Sequence, residues 1–141
     1  MNAPSTALTD FFAIWQQNND HGSPADLLAQ FAATFLALSP NGAAPVSAAG
    51  FGPALAKRKQ IFAQLGCRST QLISLDETPL DSRYAMARTR WRITFARTDL
   101  PEQHITVDST FLIDLHAGHI LAYLAHQDVF AILRQHGVLK D

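Results

Sequence analysis

The sequence predicts an α+β domain with helices packed in the concave face of a strongly curved antiparallel or mixed sheet. Two observations carry this expectation. Apolar residues recur at helical spacing up to Gly66 and at a spacing of two after it. The longest two-residue run, Tyr84 to Arg97, separates into two unlike faces. Its odd positions read Ala85, Ala87, Thr89, Trp91, Ile93 and Phe95, and its even positions Met86, Arg88, Arg90, Arg92 and Thr94. One face is apolar and the other basic.

In chain order, the first helix is expected from Ser5 to Asn18, with Leu8, Phe11, Phe12 and Trp15 on one stripe. The polar run from Asn18 to Gly22 breaks it. Ser23, Pro24 and Asp26 then supply a cap, a first-turn proline and a capping box for a second helix. Leu27, Leu28, Phe31 and Phe35 would form its buried side. Phe35 to Leu38 reads equally as a short strand ending at the turn Ser39-Pro40-Asn41-Gly42. Ser39 to Gly52, rich in Ala, Gly and Pro, reads as a long loop. A third helix is expected from Gly52-Pro53 to just before Gly66, a residue suited to a left-handed C-cap. Leu55, Phe62 and Leu65 share its inner face, and Lys57, Arg58 and Lys59 lie mostly outside.

Cys67 to Asp76 reads as a strand and Glu77 to Ser82, around Pro79, as a turn. After the long strand comes a turn, Thr98 to Gln103, around Pro101. His104 to Leu115 alternates again, with Val107, Ser109, Phe111 and Ile113 on one side and Asp108, Thr110 and Asp114 on the other. A hairpin between the two strands would set the arginines beside Asp108 and Asp114 as cross-strand ion pairs. His116 to His119 is a tight turn. Ile120 to Gln127 is the last strand, and Asp128 caps a short helix ending at Gly137.

With 141 residues the chain is one domain's length, 1–141, able to bury a sizeable core. Charged residues make up 16% against 48% apolar, so disorder is not expected and some apolar surface is left for a partner subunit. A net charge of -1 builds no field for nucleic acid. No apolar run reaches the roughly 18 residues of a membrane span, and residues 1–9 lack the features of a signal peptide. The expectation is a cytoplasmic protein that binds neither nucleic acid nor membrane.

Four patterns together carry a family resemblance. They are Phe11-Phe12-x-x-Trp15, the strand-turn from Phe35 to Gly42, the strand around Thr89-Arg90-Trp91-Arg92, and Ala117-Gly118-His119-Ile120-Leu121-Ala122-Tyr123 followed by Asp128. In this order they resemble the nuclear-transport-factor-2-like superfamily, the cystatin-like α+β cone shared by SnoaL-like polyketide cyclases and ketosteroid isomerases. The resemblance implies a pocket between sheet and helices, and a homodimer through the outer sheet face. It also implies an acid in the last strand, but the matching position is Ala125.

His126 and Asp128 are the candidate catalytic pair, since residues two apart on a strand share a side and a carboxylate can orient an imidazole base. The competing reading makes Asp128 the N-cap of the last helix and His126 a packed or rim residue. Tyr123, opposite in parity to His126, suits a surface or dimer role more than donation to a ligand oxygen. Trp15, Phe31, Phe62, Trp91, Phe95, Ser109 and Phe111 are the candidate pocket residues for a small apolar or aromatic ligand. In the simplest alternative, their aromatic members are plain core. His116-x-x-His119 lacks a third ligand, so no metal is expected, and no nucleotide fingerprint suggests a cofactor. Cys67, just past a helix C-terminus, is poorly placed to be a thiolate. The function expected is a pocket protein, with isomerase, cyclase or hydratase chemistry as its enzymatic form. The alternative is a non-catalytic homodimeric accessory module.

Overall fold

The computed structural model describes residues 4–140. The first helix, α1 (Thr6–His21), is capped by Ser5, whose hydroxyl accepts the Leu8 N–H. It runs one turn beyond Asn18, because the Lys59 ammonium donates to the carbonyls of Asn18 and Asn19 and satisfies the helix end. The second, α2 (Pro24–Leu28), carries the full Ser23–Asp26 capping box but lasts only five residues. Phe31 already opens β1 (Phe31–Ser39). Phe31 and Phe35 therefore sit on a strand, not on the second helix. A spacing of four fits both a helix face and a strand face, so period alone does not separate the two.

The stretch from Ser39 to Gly52 is not a loop. It folds as a tight hairpin into β2 (Gly42–Ser47), paired antiparallel to β1 from Ser39–Gly42 to Thr34–Ser47. Small residues and Pro45 are tolerated there because β2 is an edge strand with one hydrogen-bonded neighbour. Ser47 caps the Gly50 N–H, so α3 (Ala48–Gln64) starts four residues before Gly52. As expected, Gly66 follows the helix with a left-handed φ of +89°. A Cβ there would lie 2.5 Å from the Ala96 carbonyl oxygen, so only glycine lets the chain turn back against β4.

Four strands follow: β3 (Cys67–Pro79), β4 (Tyr84–Arg97), β5 (Leu100–Asp114) and β6 (His119–Ala125). The expected turns at Glu77–Ser82 and Thr98–Gln103 are shorter than the sequence suggests, since the ladder continues into Pro79 and resumes at Leu100. The last helix, α4 (Val129–Gln135), is capped by Asp128. The sheet order is β2-β1-β6-β5-β4-β3, antiparallel except where β1 runs parallel to β6. The fold is thus α+β with a six-stranded mixed sheet and four helices, in agreement with the expectation. Register shifts interrupt β3 on either side of Ser69–Leu72, and others fall in β4–β5 and β5–β6. Such bulges bend and twist a sheet.

The alternation in β4 is realised from Ala85 to Ile93 and fails at Thr94, which is buried and hydrogen-bonded with His104. Ala85, Ala87, Thr89, Trp91, Ile93 and Phe95 are buried, while Met86, Arg88, Arg90 and Arg92 are exposed. On the inner face Phe12 of α1 is wholly buried, with its ring 5.1 Å from Phe111 and 6.2 Å from Trp91. A second cluster, Ile93, Phe95, Ile105, Leu133 and Val138, joins the other end of the strands to α4. Helix α1 also closes the free edge of β3. Asp20 and Gln16 accept the Thr70 and Leu72 N–H groups at 2.9 and 2.8 Å, and Glu77 accepts the Ser5 N–H. Covering the Thr70 and Leu72 amides in this way leaves less of a template for another strand.

On the outer face Arg90 pairs with Asp108 at 2.9 Å, as the hairpin predicts. Asp114 instead binds Arg83, from the turn before β4, at 2.7 Å, because the register sets Tyr84, not an arginine, opposite it. Asp114 also accepts the His116 and Ala117 N–H groups, which fixes the β5–β6 turn. The Arg83 hydrogen bonds, followed by that from Ala117, pull its carboxyl down to about 2. A carboxyl lowered on folding stabilises the fold in its ionised form. That contribution is complete above the unfolded value of about 4 and vanishes as pH falls through the folded one. Asp114→Asn is therefore expected to melt earlier than the native protein near neutral pH. The gap should close between about pH 4 and about pH 2 in thermal unfolding. A gap independent of pH would show that the ion pair does not contribute.

Candidate functional site

Helix α3 buries none of its residues completely. The reason is the space beneath it, a cavity of about 260 Å³ between α3, α1 and the inner face of the sheet. Trp15 on α1, Phe31 on β1, and Phe51, Leu55 and Phe62 on α3 supply one set of walls. Trp91 and Ile93 on β4, Val107, Ser109 and Phe111 on β5, and Tyr123 on β6 supply the floor. The rings brace one another. Trp15 lies 5.5 Å from Phe31 and 5.6 Å from Phe111, and Phe111 lies 5.1 Å from Tyr123. Edge-on packing at these distances holds each ring at a fixed tilt.

The floor is pinned from within. The Trp91 indole N–H donates to the Thr89 hydroxyl at 2.8 Å, and that hydroxyl donates to the Ser109 carbonyl at 3.2 Å. A buried indole is thereby satisfied without reaching into the cavity. Polar groups also surround the space: Asn19, Asp20, Arg58, Lys59, Cys67, Arg68 and Thr70 all line it. The Arg58 guanidinium lies 5.0 Å above the Phe62 ring, a cation–π contact.

Six of the seven aromatic and serine positions singled out from sequence line this cavity: Trp15, Phe31, Phe62, Trp91, Ser109 and Phe111. Phe95 does not. It is wholly buried in the second cluster, 5.6 Å from Phe62, because the cavity ends where α4 closes over β4.

The structure also separates His126 and Asp128 from the cavity. Both are exposed. His126 Nε2 shares a 2.7 Å hydrogen bond with the Thr110 hydroxyl and borders a separate polar depression of about 240 Å³ with Asp76, Arg88, Arg90 and Asp108. Asp128 caps α4 through the Phe130 and Ala131 N–H groups. Tyr123 is the converse. Its parity to His126 holds, but the faces are reversed, since Tyr123 pairs across the ladder with inward-facing Phe111. Ala125, where the resemblance implies an acid, pairs with Ser109.

Sequence reasoning missed Phe51, hidden in an apparent loop, and the polar rim of Asp20, Arg58 and Arg68. Arg58 sits on the helix face read as solvent. Only the register of Leu55 and Phe62 hints that position 58, three after Leu55 and four before Phe62, shares their side. Among the described residues, no group of three or more His, Cys, Asp or Glu side chains is arranged to hold a metal ion. No helix there is long and apolar enough to cross a membrane.

Compared by sequence, the chain matches no family model and no curated protein. Compared by structure, it resembles many solved proteins. The β subunit of the benzoate 1,2-dioxygenase from Burkholderia mallei superposes with a TM-score of 0.71 at 13% identity, covering 94% of this chain and 96% of that one. An NTF-2 like protein of unknown function from Shewanella oneidensis gives 0.62 at 16% identity, over 89% and 100%. A putative polyketide cyclase from Xanthomonas campestris gives 0.55 at 17% identity, over 92% and 96%. The chain has the nuclear-transport-factor-2-like, cystatin-like cone fold.

Burial, followed by the charge of Asp20, pushes the Cys67 thiol up from its ordinary value. The thiolate is the reactive form. Iodoacetamide is therefore expected to alkylate Cys67 several-fold more slowly near neutral pH than it does free cysteine, with the rate rising at more alkaline pH than for the free amino acid. Alkylation as fast as the free amino acid would contradict this placement.

Proposed function

We propose that this chain is a pocket protein that binds a small apolar or aromatic molecule beneath α3. One observation carries the reading: the inner face and helices leave an aromatic-walled space of about 260 Å³ unfilled. A cavity of about 150 Å³ accommodates a benzene ring, so this one matches a body of one or two rings. Apolar walls with a few converging polar groups are what such sites need. The similar fold of the putative polyketide cyclase supports a small-molecule role. The residues favour binding over turnover. Ala125 stands where the resemblance implies an acid, and Asp20, the carboxylate at the cavity, is already engaged by the Thr70 N–H.

A bicyclic aromatic panel is expected to raise the melting temperature by a few degrees at saturation, since ligands that bind only the native state stabilise it. Ser109→Leu, which fills the floor, should abolish the shift while native circular dichroism persists. No shift from any member in the native protein would overturn the reading.

A second reading concerns the outer face, where Leu36 and Met86 are 41% and 38% exposed. Leu36 pairs with Pro45 and Ala122, and Leu38 with Ala43 and Leu124, so the β2-β1-β6 end of the outer face is apolar. Exposed apolar area of this kind favours self-association, and a dioxygenase β subunit has the same fold. The occupant is a second copy of this chain. Sedimentation is expected to give a dimer at micromolar concentration and a monomer for Leu36→Glu. A monomeric native protein would remove the dimer.

A further inference from the structure

The apolar cavity is ringed by an excess of positive charge. Among its lining side chains are three cations, Arg58, Lys59 and Arg68, against one carboxylate, Asp20. Two of the four have structural duties. Lys59 donates to the carbonyls of Asn18 and Asn19 that end α1. Asp20 accepts the Thr70 N–H on the edge of β3. The two arginines differ. Among the described residues the ion pairs involve Arg83, Arg90, Arg97 and His104, so neither Arg58 nor Arg68 is in contact with a carboxylate. Arg58 is held over Phe62, itself a wall of the cavity, which leaves the edge of its guanidinium open to hydrogen bonding. Arg68 is exposed and falls at the register shift between Cys67 and Ser69, where β3 bends past the cavity.

From this arrangement we infer that the ligand is a small organic anion: a body of one or two rings in the aromatic cavity, with a carboxylate met by Arg58 and Arg68. The inference rests on the reading of the cavity as a ligand site and adds the charge of its occupant. Guanidinium groups bind carboxylates through paired N–H donors. Low-dielectric walls concentrate the field of such groups at a cleft and raise the local concentration of anions. A neutral ligand of the same shape would leave both arginines without a counter-charge.

The test compares 2-naphthoate with 2-naphthalenemethanol, read by calorimetry and by the fluorescence of Trp15 and Trp91, at low and high salt. The expected result is that naphthoate binds about tenfold or more tightly than the alcohol in low salt, a preference that shrinks as salt screens the arginines. Arg58→Gln and Arg68→Gln should each erode that preference, weakening naphthoate far more than the alcohol. Arg92→Gln, on the outer face, serves as the control with native preference. Equal binding of both probes would overturn the anion inference and leave the pocket standing. Binding of neither would overturn both. Should an arginine variant fail to fold, the salt dependence in the native protein still decides the question.

Discussion

The constraint on which the structure depends is the seating of Phe12 between Trp91 and Phe111. These three rings join the first helix to the two longest strands, and all three are almost wholly excluded from water. Burying side chains of this size is worth several kilocalories per mole. Because Phe12 fixes the height and rotation of α1, it also fixes what neighbouring residues on that helix can reach. Trp15, one turn on, becomes a cavity wall. Gln16 and Asp20, on the flank, meet the Leu72 and Thr70 amides and seal the edge of β3.

The cavity follows from the same seating. Helix α1 fills the inner face on one side, and α4 with the turn after it fills the far end through Leu133 and Val138. Helix α3 is set by its own ends: Ser47 at the start, and Gly66, locked against Ala96, at the finish. Those anchors hold it above the floor while leaving every one of its residues at least partly exposed. The space beneath is thus a consequence of where the helix ends are tied. Its charge has a similar origin, since Arg58 reaches the rim by lying along Phe62 on the same helix.

Much of this was legible in the sequence, for a definite reason. In β4 and β5 one face is buried and one is largely solvated, so the two-residue rhythm records the burial directly, from Ala85 to Ile93 and from Ile105 to Ile113. Gly66 and Asp128 were legible because a left-handed residue and an N-cap are local requirements. Three things were not. Phe31 and Phe35 are four apart, a spacing that fits either period. Strand β2 is built of Gly, Ala and Pro, which carry no strand signature, and is held there by its neighbour β1. The inward turn of Tyr123 and the outward turn of His126 depend on pairing register with β5, and that register shifts opposite Leu112 and Ile113, where β6 carries Leu121 as an extra residue. Register is a long-range property, and a shift of one residue exchanges the faces. The pairing of His126 with Asp128 as a catalytic unit has no access to that register, whereas Arg58 of the charged rim is hinted at only by the helical spacing of Leu55 and Phe62.

The measurement that bears most directly on this account is the equilibrium unfolding of Phe12→Ala in denaturant, with amide exchange at Thr70 and Leu72 followed in parallel. If Phe12 sets the position of α1 on the sheet, the substitution costs about 3–5 kcal/mol, the range for a buried phenylalanine truncated to alanine. Both edge amides should also lose protection faster than those in the centre of β5. A loss below about 1 kcal/mol, with those two amides as slow to exchange as in the native protein, would contradict the account.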